Sequence, residues 1–254
     1  NNKIKRTVRA VLALAKKNRL VQDNFASSDY IDYPPKAATP VQFMDDKTAA
    51  QFFEFLLTYK NIRIKTAMLI LLLTGLRRGE LCGLEWSDID FENKTLTVRR
   101  SVVYVSGFGV FEKEPKTHGS KRTIAVSDSL LHFLSEYRIY QADLKNRCGD
   151  YMKPSEKLFT SERGELIHPA TVETWMKIVL RDSGMPHFTL HSLRHTNITL
   201  QIAAGIPLVT VSARAGHSRT STTGDIYSHV IQSGDRRAAE AIESFFSEPK
   251  KENT

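Results

Sequence analysis

Four short stretches of the sequence carry the residue types that phosphoryl transfer needs. Arginine keeps its proton in proteins and directs two parallel N–H donors at a phosphate. A tyrosine hydroxyl can attack phosphorus when a neighbouring group accepts its proton, and lysine or histidine can protonate the departing oxygen. These residue types together predict phosphoryl transfer without a metal ion. The stretches are 74–81 (TGLRRGEL), 115–117 (PKT), 191–196 (HSLRHT), and 216–218 with 225–229 (GHS and DIYSH).

The order of these residues along the chain resembles the tyrosine recombinase (phage integrase) family: arginine, lysine, His-x-x-Arg, histidine, tyrosine. Within that family, the local sequences are similar to the integrases of conjugative transposons, and the match covers about residues 43–247. The resemblance implies an α+β, mainly α-helical catalytic domain with a small antiparallel sheet of three strands. It also implies a catalytic set, with Glu80 supporting the first arginine. The set comprises Arg77, Lys116, His191, Arg194, His217 and Tyr227.

The resemblance also implies the course of the reaction. Tyr227 attacks the scissile phosphate, a 3′-phosphotyrosyl bond forms, and a 5′-hydroxyl leaves; a 5′-hydroxyl of another strand then releases the tyrosine. Because the ordinary pKa of tyrosine is about 10, only about one molecule in a thousand is ionised at pH 7, and His191 is the expected proton acceptor. Arg77 and Arg194 hold the non-bridging oxygens, and Lys116 is the expected general acid. One phosphodiester replaces another, so we expect neither ATP, metal nor any other cofactor.

A zinc site is the main alternative for the histidines. His187, His191 and His195 recur every four residues, a spacing that would stack them on one helical face. However, the sequence lacks the glutamate of His-Glu-x-x-His, and the positive charge of Arg194 would repel a cation. We therefore expect no metal, and we interpret His195 as a structural, hydrogen-bonded histidine.

Two alternative functions remain beside recombination. A type IB topoisomerase uses the same chemistry on one duplex, but the chain length and the Gly-His-Ser segment disfavour it. A DNA-binding protein that has lost cleavage is the other alternative, although no position of the catalytic set is substituted.

The charge of the chain favours a polyanionic partner. Lys and Arg number 36 against 28 Asp and Glu, which gives a formal charge of +8 and a pI near 9.4. Double-stranded DNA is the expected partner. Residues that we expect to contact the DNA backbone lie in the first helix and around the catalytic set: Arg6, Arg9, Lys16, Arg78, Lys121 and Arg122.

Other compositional features indicate a cytoplasmic protein. The longest apolar run, 67–73, is far shorter than the roughly 20 residues of a membrane-spanning helix. Cys82 and Cys148 are the only cysteines and lie far apart, which argues against a disulfide framework or a cysteine-rich zinc module.

The chain is expected to comprise four regions. Residues 1–27 are interpreted as the last helical part of a core-binding domain, 28–42 as a proline-containing linker, 43–234 as the catalytic domain, and 235–254 as a C-terminal helix and tail. The chain begins without methionine inside a helical pattern, so we expect an N-terminal part to be missing.

In the expected catalytic domain, one β-rich stretch over residues 89–126 lies between two helical parts. A buried helix over 62–73 ends at Gly75, and Asp45 or Asp46 caps the helix before it. The expected strands are 95–99, 101–105 and 123–126, with Lys116 in the turn between the second and third.

The resemblance implies assembly on DNA as a homo-oligomer, from dimer to tetramer. The C-terminal helix carries an apolar face that includes Ile242, Phe245 and Phe246. We expect this helix to dock in trans on a neighbouring catalytic domain, so that the protomers exchange helices; docking in its own core is the alternative. Accessory DNA-bending or excision proteins are further candidate partners.

Overall fold

A computed structural model describes residues 2–31, 42–114 and 121–217, including side chains from residue 4 onward. Lys116, Tyr227 and the C-terminal helix expected over 235–254 lie outside the described residues. The chain divides into two compact units, residues 1–40 and 41–254. Within the described residues, no helix has the length and apolar character needed to cross a membrane.

The first unit contains one helix, α1 (Asn2–Lys17), within its described part. The segment that follows the helix folds back along its second half. Asn24 Nδ2 donates to the carbonyl of Arg9 (2.9 Å), and Lys16 pairs with Asp23 at 2.5 Å. Arg6 and Lys16 are exposed. Helix α1 confirms the sequence-based expectation of a helix in this region.

Seven helices build most of the second unit within the described ranges. The N-cap of α2 is Asp45, whose carboxylate accepts the N–H of Thr48 at 2.7 Å, as the sequence predicts. The segment 204–207, which contains Gly205 and Pro207, separates the last two helices. Their bounds are α2 Asp46–Leu57, α3 Ile62–Thr74, α4 Arg78–Gly83, α5 Asp128–Cys148, α6 Pro169–Ser183, α7 Leu190–Ala203 and α8 Leu208–Ala215.

Helix α3 is the central core element. Residues 67–72 are all buried, and the helix packs against α2, α5, α6 and α7. A helix that is apolar on every side requires such enclosure. Asn61 caps its start and Gly75 ends it in the left-handed conformation, with φ +66°. The predicted buried helix and its glycine stop are both confirmed.

The strands differ in part from the expectation. A three-stranded antiparallel sheet is present, in the order β1 (Ile89–Asp90), β2 (Thr95–Val98), β5 (Arg122–Ala125). The expected strand 101–105 is β3 (Ser101–Val105), but it pairs with β4 (Gly109–Lys113) in a separate hairpin. The segment 115–120 thus connects the fourth and fifth strands. The sequence did not indicate β4 because that strand is mostly exposed and has no alternating apolar pattern.

Charged side chains fix the hairpin to the helical body. The buried ammonium of Lys157 pairs with Glu112 of β4 and with Glu85, which precedes a short 3₁₀ helix (2.8 Å to Glu85). Arg100 lies beside this group and pairs with Glu85 and Asp88, at 2.8 and 2.9 Å. The described residues are mainly α-helical with small antiparallel sheets, which confirms the expected fold class.

Gly75 is required by its backbone conformation and by its neighbours. A Cβ at Gly75 would lie 2.7 Å from Oδ1 of Asn197, a side chain fixed by its hydrogen bond to the carbonyl of Leu72 (2.9 Å). Gly184, which ends α6, has the same φ of +66°, but a Cβ at this position would meet nothing within 4 Å among the described residues. A side chain at either position would strain the backbone, but only at Gly75 would it also meet crowded neighbours.

We expect Gly184→Ala to lower the free energy of unfolding by about 1 kcal/mol, the cost of a left-handed alanine. Gly75→Ala should cost at least about 2 kcal/mol, because overpacking adds to the same strain. Urea denaturation of both variants measures the difference. Equal costs would contradict the close approach of α7 to Gly75.

Candidate active site

The C-terminal end of α8 gathers three arginines. Three consecutive backbone carbonyls there each accept a hydrogen bond from a different guanidinium. The last carbonyls of a helix have no partner within it and carry the negative end of the helix dipole, so cationic donors suit them. The pairs are Arg122 Nε with Arg214 O (2.7 Å), Arg194 Nη2 with Ala215 O (2.5 Å) and Arg77 Nη2 with Gly216 O (2.8 Å).

Glu80 joins two of these arginines. It lies in the first turn of α4, and both its oxygens accept from Arg122, at 3.1 and 2.8 Å. The same oxygens accept from Arg77, one from Nη1 (2.8 Å) and the other from the backbone N–H (2.9 Å). Burial alone would raise the pKa of the Glu80 carboxyl, but the hydrogen bonds and charges of Arg122 and Arg77 outweigh burial and lower the pKa.

Arg194 is the largest fully buried side chain among the described residues. Besides Ala215, its guanidinium donates to the carbonyl of Gly75 (2.7 Å), the residue that ends α3. Arg194 therefore connects α7 to the loop that leads into Arg77 and to the end of α8. This position explains why the loop after α3 needs a fixed conformation.

His191 lies on α7 three residues before Arg194, a spacing that brings both side chains to one helical face. Its ring is exposed on one side and meets the ring of His195 edge to face, with centroids 4.3 Å apart. Partial desolvation lowers the pKa of His191, and the charges of Arg194 and Arg77 lower it further. His191 is therefore neutral at pH 7 and able to accept a proton.

His217 follows Gly216 directly and is half-buried beside the arginines. Desolvation, followed by the charges of Arg194, Arg77 and Arg122, lowers the pKa of His217 to about 4. The pKa of His195 is also lowered to about 4, by desolvation and then by His191 and Arg194. The described part of the chain thus brings together five of the residues expected in the site, namely Arg77, Glu80, His191, Arg194 and His217.

The histidine stack that would have held zinc does not form. Helix α7 begins at Leu190, with Thr189 as its N-cap, so His187 precedes the helix and does not share a face with His191 and His195. The four-residue spacing was misleading because Pro186 and the cap place residue 187 in non-helical backbone. Within the described ranges, no three His, Cys, Asp or Glu side chains are grouped as metal ligands would be.

The residues expected to contact DNA lie in different environments. Arg78 pairs with Glu173 of α6, and both side chains are partly exposed. Lys121 is exposed and lies 4.0 Å from Glu114. Arg122 differs from the expected DNA contact. Its side chain is only 7% exposed and points into the protein, toward Glu80 and α8. Residues alternate across a strand, so its position two residues before the buried Ile124 was a signal of this inward direction.

A cleft of about 770 Å³ opens beside the site. Its lining includes Arg77, His191 and Arg194, and Val102 of β3 and Met176 of α6 contribute apolar surface. Strand β3 therefore forms part of the cleft wall. The sequence did not reveal this position because it placed 101–105 in one sheet with 95–99 and 123–126, whereas β3 belongs to a separate hairpin.

The chain matches the model of the phage integrase family over residues 42–233. It is 36% identical over 222 residues to the tyrosine recombinase XerC-like protein of Caldanaerobacter subterraneus, covering 83% of this chain and 56% of that protein. The ICEBs1 integrase of Bacillus subtilis is 28% identical over 195 residues, covering 75% and 51%. The chain thus spans about half the length of these curated relatives.

A solved structure extends the likeness to the fold. The structure of the Tn1549 transposon integrase in complex with transposon right end DNA is 26% identical, with a TM-score of 0.74. The match covers 95% of this chain and 78% of that one.

The lowered histidine pKa values make stability depend on pH. His195 and His217 have folded pKa values of about 4, below the ordinary 6.5, so between these values the unfolded chain binds protons that the folded protein does not. Stability should therefore fall as the pH drops from about 6.5 toward 4, each histidine contributing at most about 1.4 kcal/mol per pH unit.

Urea denaturation from pH 7 to pH 5 measures this slope of the free energy of unfolding against pH. His217→Gln should make it shallower, and an unchanged slope would contradict the described environment of His217.

Proposed function

The chain belongs to the phage integrase family, and on that premise we propose that it is a site-specific DNA recombinase of a mobile element. It cuts and rejoins DNA through a 3′-phosphotyrosyl intermediate. The observation that carries this proposal is the anchoring of Arg77 and Arg194 on adjacent carbonyls, Gly216 and Ala215, beside two neutral histidines.

The electrostatics of the cluster suit a phosphodiester. Among the described residues, the cluster contains three guanidinium groups, of which Arg77 and Arg122 bind the carboxylate of Glu80 and Arg194 binds backbone carbonyls. It therefore keeps an excess of positive charge. The side chain of Arg77 is 41% exposed, and the described residues engage only two of its five guanidinium N–H groups. Donors held before the reaction can stabilise charge that builds on the non-bridging oxygens, each for about a hundredfold to a thousandfold in rate.

His191 is placed for the proton transfer. A neutral imidazole can accept the proton of the attacking tyrosine hydroxyl. The charges of Arg194 and Arg77 lower its pKa in the free protein, and a bound phosphodiester would offset these charges with its own negative charge. Substrate binding therefore raises the basicity of His191 at the step that requires it.

Tyr227 and Lys116 complete the proposed reaction, as nucleophile and general acid. The oxygen of Tyr227 forms a bond to phosphorus as the bond to the 5′-oxygen breaks, and Lys116 gives that oxygen a proton. The reverse reaction with a second 5′-hydroxyl restores the tyrosine. The number of phosphodiester bonds is unchanged, so the step requires no energy source.

The proposed partner is double-stranded DNA at the ends of the element and at its target site, in the cytoplasm. The positive charge of the chain and the DNA complex of the Tn1549 transposon integrase support this partner. We propose that the protein acts as a dimer to tetramer with exchange of the C-terminal helices, assisted by accessory DNA-bending or excision proteins. Arg6 and Lys16 of α1 are proposed backbone contacts, since phosphate contacts supply affinity with little sequence information.

A covalent adduct is the decisive test of the proposed function. The protein is incubated with sheared DNA of its source organism, and the protein-linked fragments are recovered and sequenced. A nicked duplex of the recovered sequence, termed the cleavage duplex, then traps the adduct because the cut fragment diffuses away. A binding protein would form no adduct, and a topoisomerase would relax supercoiled plasmid that lacks the recovered sequence.

We expect Tyr227→Phe to bind the cleavage duplex with unchanged affinity and to form no adduct, because only the nucleophilic oxygen is removed. Gel separation of the covalent adduct and a filter-binding assay measure the two properties. The wild-type reaction should proceed equally in excess EDTA. Adduct formation by Tyr227→Phe would show that another residue is the nucleophile, and a loss of wild-type activity in EDTA would contradict the metal-independent mechanism.

We expect Lys116→Ala to slow cleavage by about a hundredfold or more while barely changing affinity, because general acids contribute about that much. A cleavage duplex with a 5′-bridging sulfur at the scissile phosphate should restore the rate, since a thiolate leaves without a proton. His191→Ala is the control, because its defect lies in activating the nucleophile and sulfur should not restore it. Equal defects of Lys116→Ala on both duplexes would assign the lysine to substrate positioning.

A further inference from the structure

We propose that Arg122 is a positioning residue for strand cleavage, which holds Glu80 and, through it, the guanidinium of Arg77 against the end of α8. This inference rests on the proposed function, because it assigns Arg122 a part in that same reaction. It differs from a DNA contact, which the charge of Arg122 alone suggested.

The contacts of Arg122 connect three separate elements. The residue begins β5, its Nε donates to the carbonyl of Arg214 at 2.7 Å, and its two terminal nitrogens donate to Glu80 of α4. The side chains of both Arg122 and Glu80 are only 7% exposed. A planar guanidinium can satisfy three acceptors in these directions, whereas the single ammonium of lysine cannot reproduce the fork.

The carboxylate of Glu80 couples the position of Arg122 to that of Arg77, because both arginines bind both of its oxygens. One oxygen of Glu80 is shared by Nη1 of Arg122 (3.1 Å) and Nη1 of Arg77 (2.8 Å), and the other by Nη2 of Arg122 (2.8 Å) and the backbone N–H of Arg77 (2.9 Å). A rotation of the carboxylate would therefore break contacts to both arginines. Because Arg122 fixes the plane of the carboxylate, it also fixes the side chain and the backbone of Arg77.

Arg122 also maintains the charge that a phosphate meets. With one carboxylate shared by two guanidinium groups, Arg77 and Arg122, the ion pairs do not neutralise the site. Without Arg122, Glu80 would form a neutral pair with Arg77 alone and would compete with the phosphate for that guanidinium. Arg122 thus allows Glu80 to orient Arg77 while a positive charge remains for the substrate.

Gly216 leaves room for this arrangement. A Cβ at Gly216 would lie 2.8 Å from Nη1 of Arg122, and its φ of +67° also favours glycine. The carbonyl of the same residue accepts the hydrogen bond of Arg77. The two arginines therefore pack against one residue, which is an independent sign that their positions are coupled.

The experiment compares Arg122→Lys with a matched control, Arg100→Lys. Arg100 is also largely buried, at 18% exposure of its side chain, and it binds Glu85, Asp88 and the carbonyl of Gly83. It contacts neither Arg77 nor Glu80 in the described structure. Lysine retains the positive charge at both positions, so we expect both variants to fold, and their melting temperatures measure the structural cost of each substitution.

The readout is single-turnover adduct formation on the cleavage duplex at saturating protein. We expect Arg122→Lys to be slowed by about tenfold to a hundredfold with affinity almost unchanged, since it disturbs a transition-state contact. Arg100→Lys should cleave at close to the wild-type rate, because the contacts of Arg100 are to Glu85, Asp88 and Gly83. The Arg77→Ala/Arg122→Lys double variant should be no slower than Arg77→Ala, because Arg122 acts through Arg77.

A substituted phosphate distinguishes positioning from general damage. A methylphosphonate at the scissile position has no charged non-bridging oxygen, so its cleavage depends less on Arg77. The defect of Arg122→Lys should shrink on this substrate, as should that of Arg77→Ala, whereas the defect of His191→Ala should remain.

Wild-type cleavage by Arg122→Lys, or equal slowing of Arg100→Lys, would overturn the inference because neither leaves a specific role for Arg122 in cleavage. If Arg122→Lys loses affinity for DNA but cleaves at the wild-type rate at saturation, Arg122 is a DNA contact. If Arg122→Lys alone fails to fold, Arg122 is a structural residue. Absence of an adduct with wild-type protein would instead refute the proposed function, and the inference with it.

Discussion

The hydrogen bonds between arginine side chains and the last carbonyls of α8 are the contacts on which the site depends. They connect elements far apart in sequence: β5 at Arg214, α7 at Ala215 and the start of α4 at Gly216. An arginine placed near a helix C-terminus interacts favourably with the exposed carbonyls and with the dipole. Here three of them do so at successive residues, and the result is a dense cluster of positive charge assembled around backbone atoms.

Such a cluster would be unfavourable without compensation. In the described part of the chain Glu80 supplies a carboxylate, and it is buried where both Arg77 and Arg122 reach it. Burying a charge is costly unless it is paired and hydrogen-bonded, and these contacts meet both conditions. The compensation is incomplete. Desolvation lowers the pKa values of His191 and His217, and the remaining positive charge of the arginines lowers them further, so both histidines are neutral at pH 7. A bound anion would offset that positive charge.

Local patterns predicted much of this molecule, and non-local pairing explains what they missed. The buried helix α3, its stop at Gly75 and the shared face of His191 and Arg194 follow from spacing along a few turns. Glu80, which Arg122 binds, lies 42 residues away in sequence, and Gly75, which Arg194 binds, lies 119 residues away. No local pattern specifies such distances. Strand β4 was missed for a similar reason. An exposed strand carries little apolar signal, and its pairing with β3 depends on which segments meet in space. Arg122 was expected to contact DNA, but its side chain points into the protein because strand alternation and a distant carboxylate decide its direction.

The use of carbonyls as acceptors has a consequence for how the protein can change over evolution. Any residue at 214 or 215 presents the same carbonyl, so side-chain substitutions there leave the acceptors in place. An insertion or deletion of one residue within α8 is different, because it rotates every later carbonyl by about 100° around the helix axis. The length of α8 should therefore be far less variable among functional descendants than the composition of its exposed face.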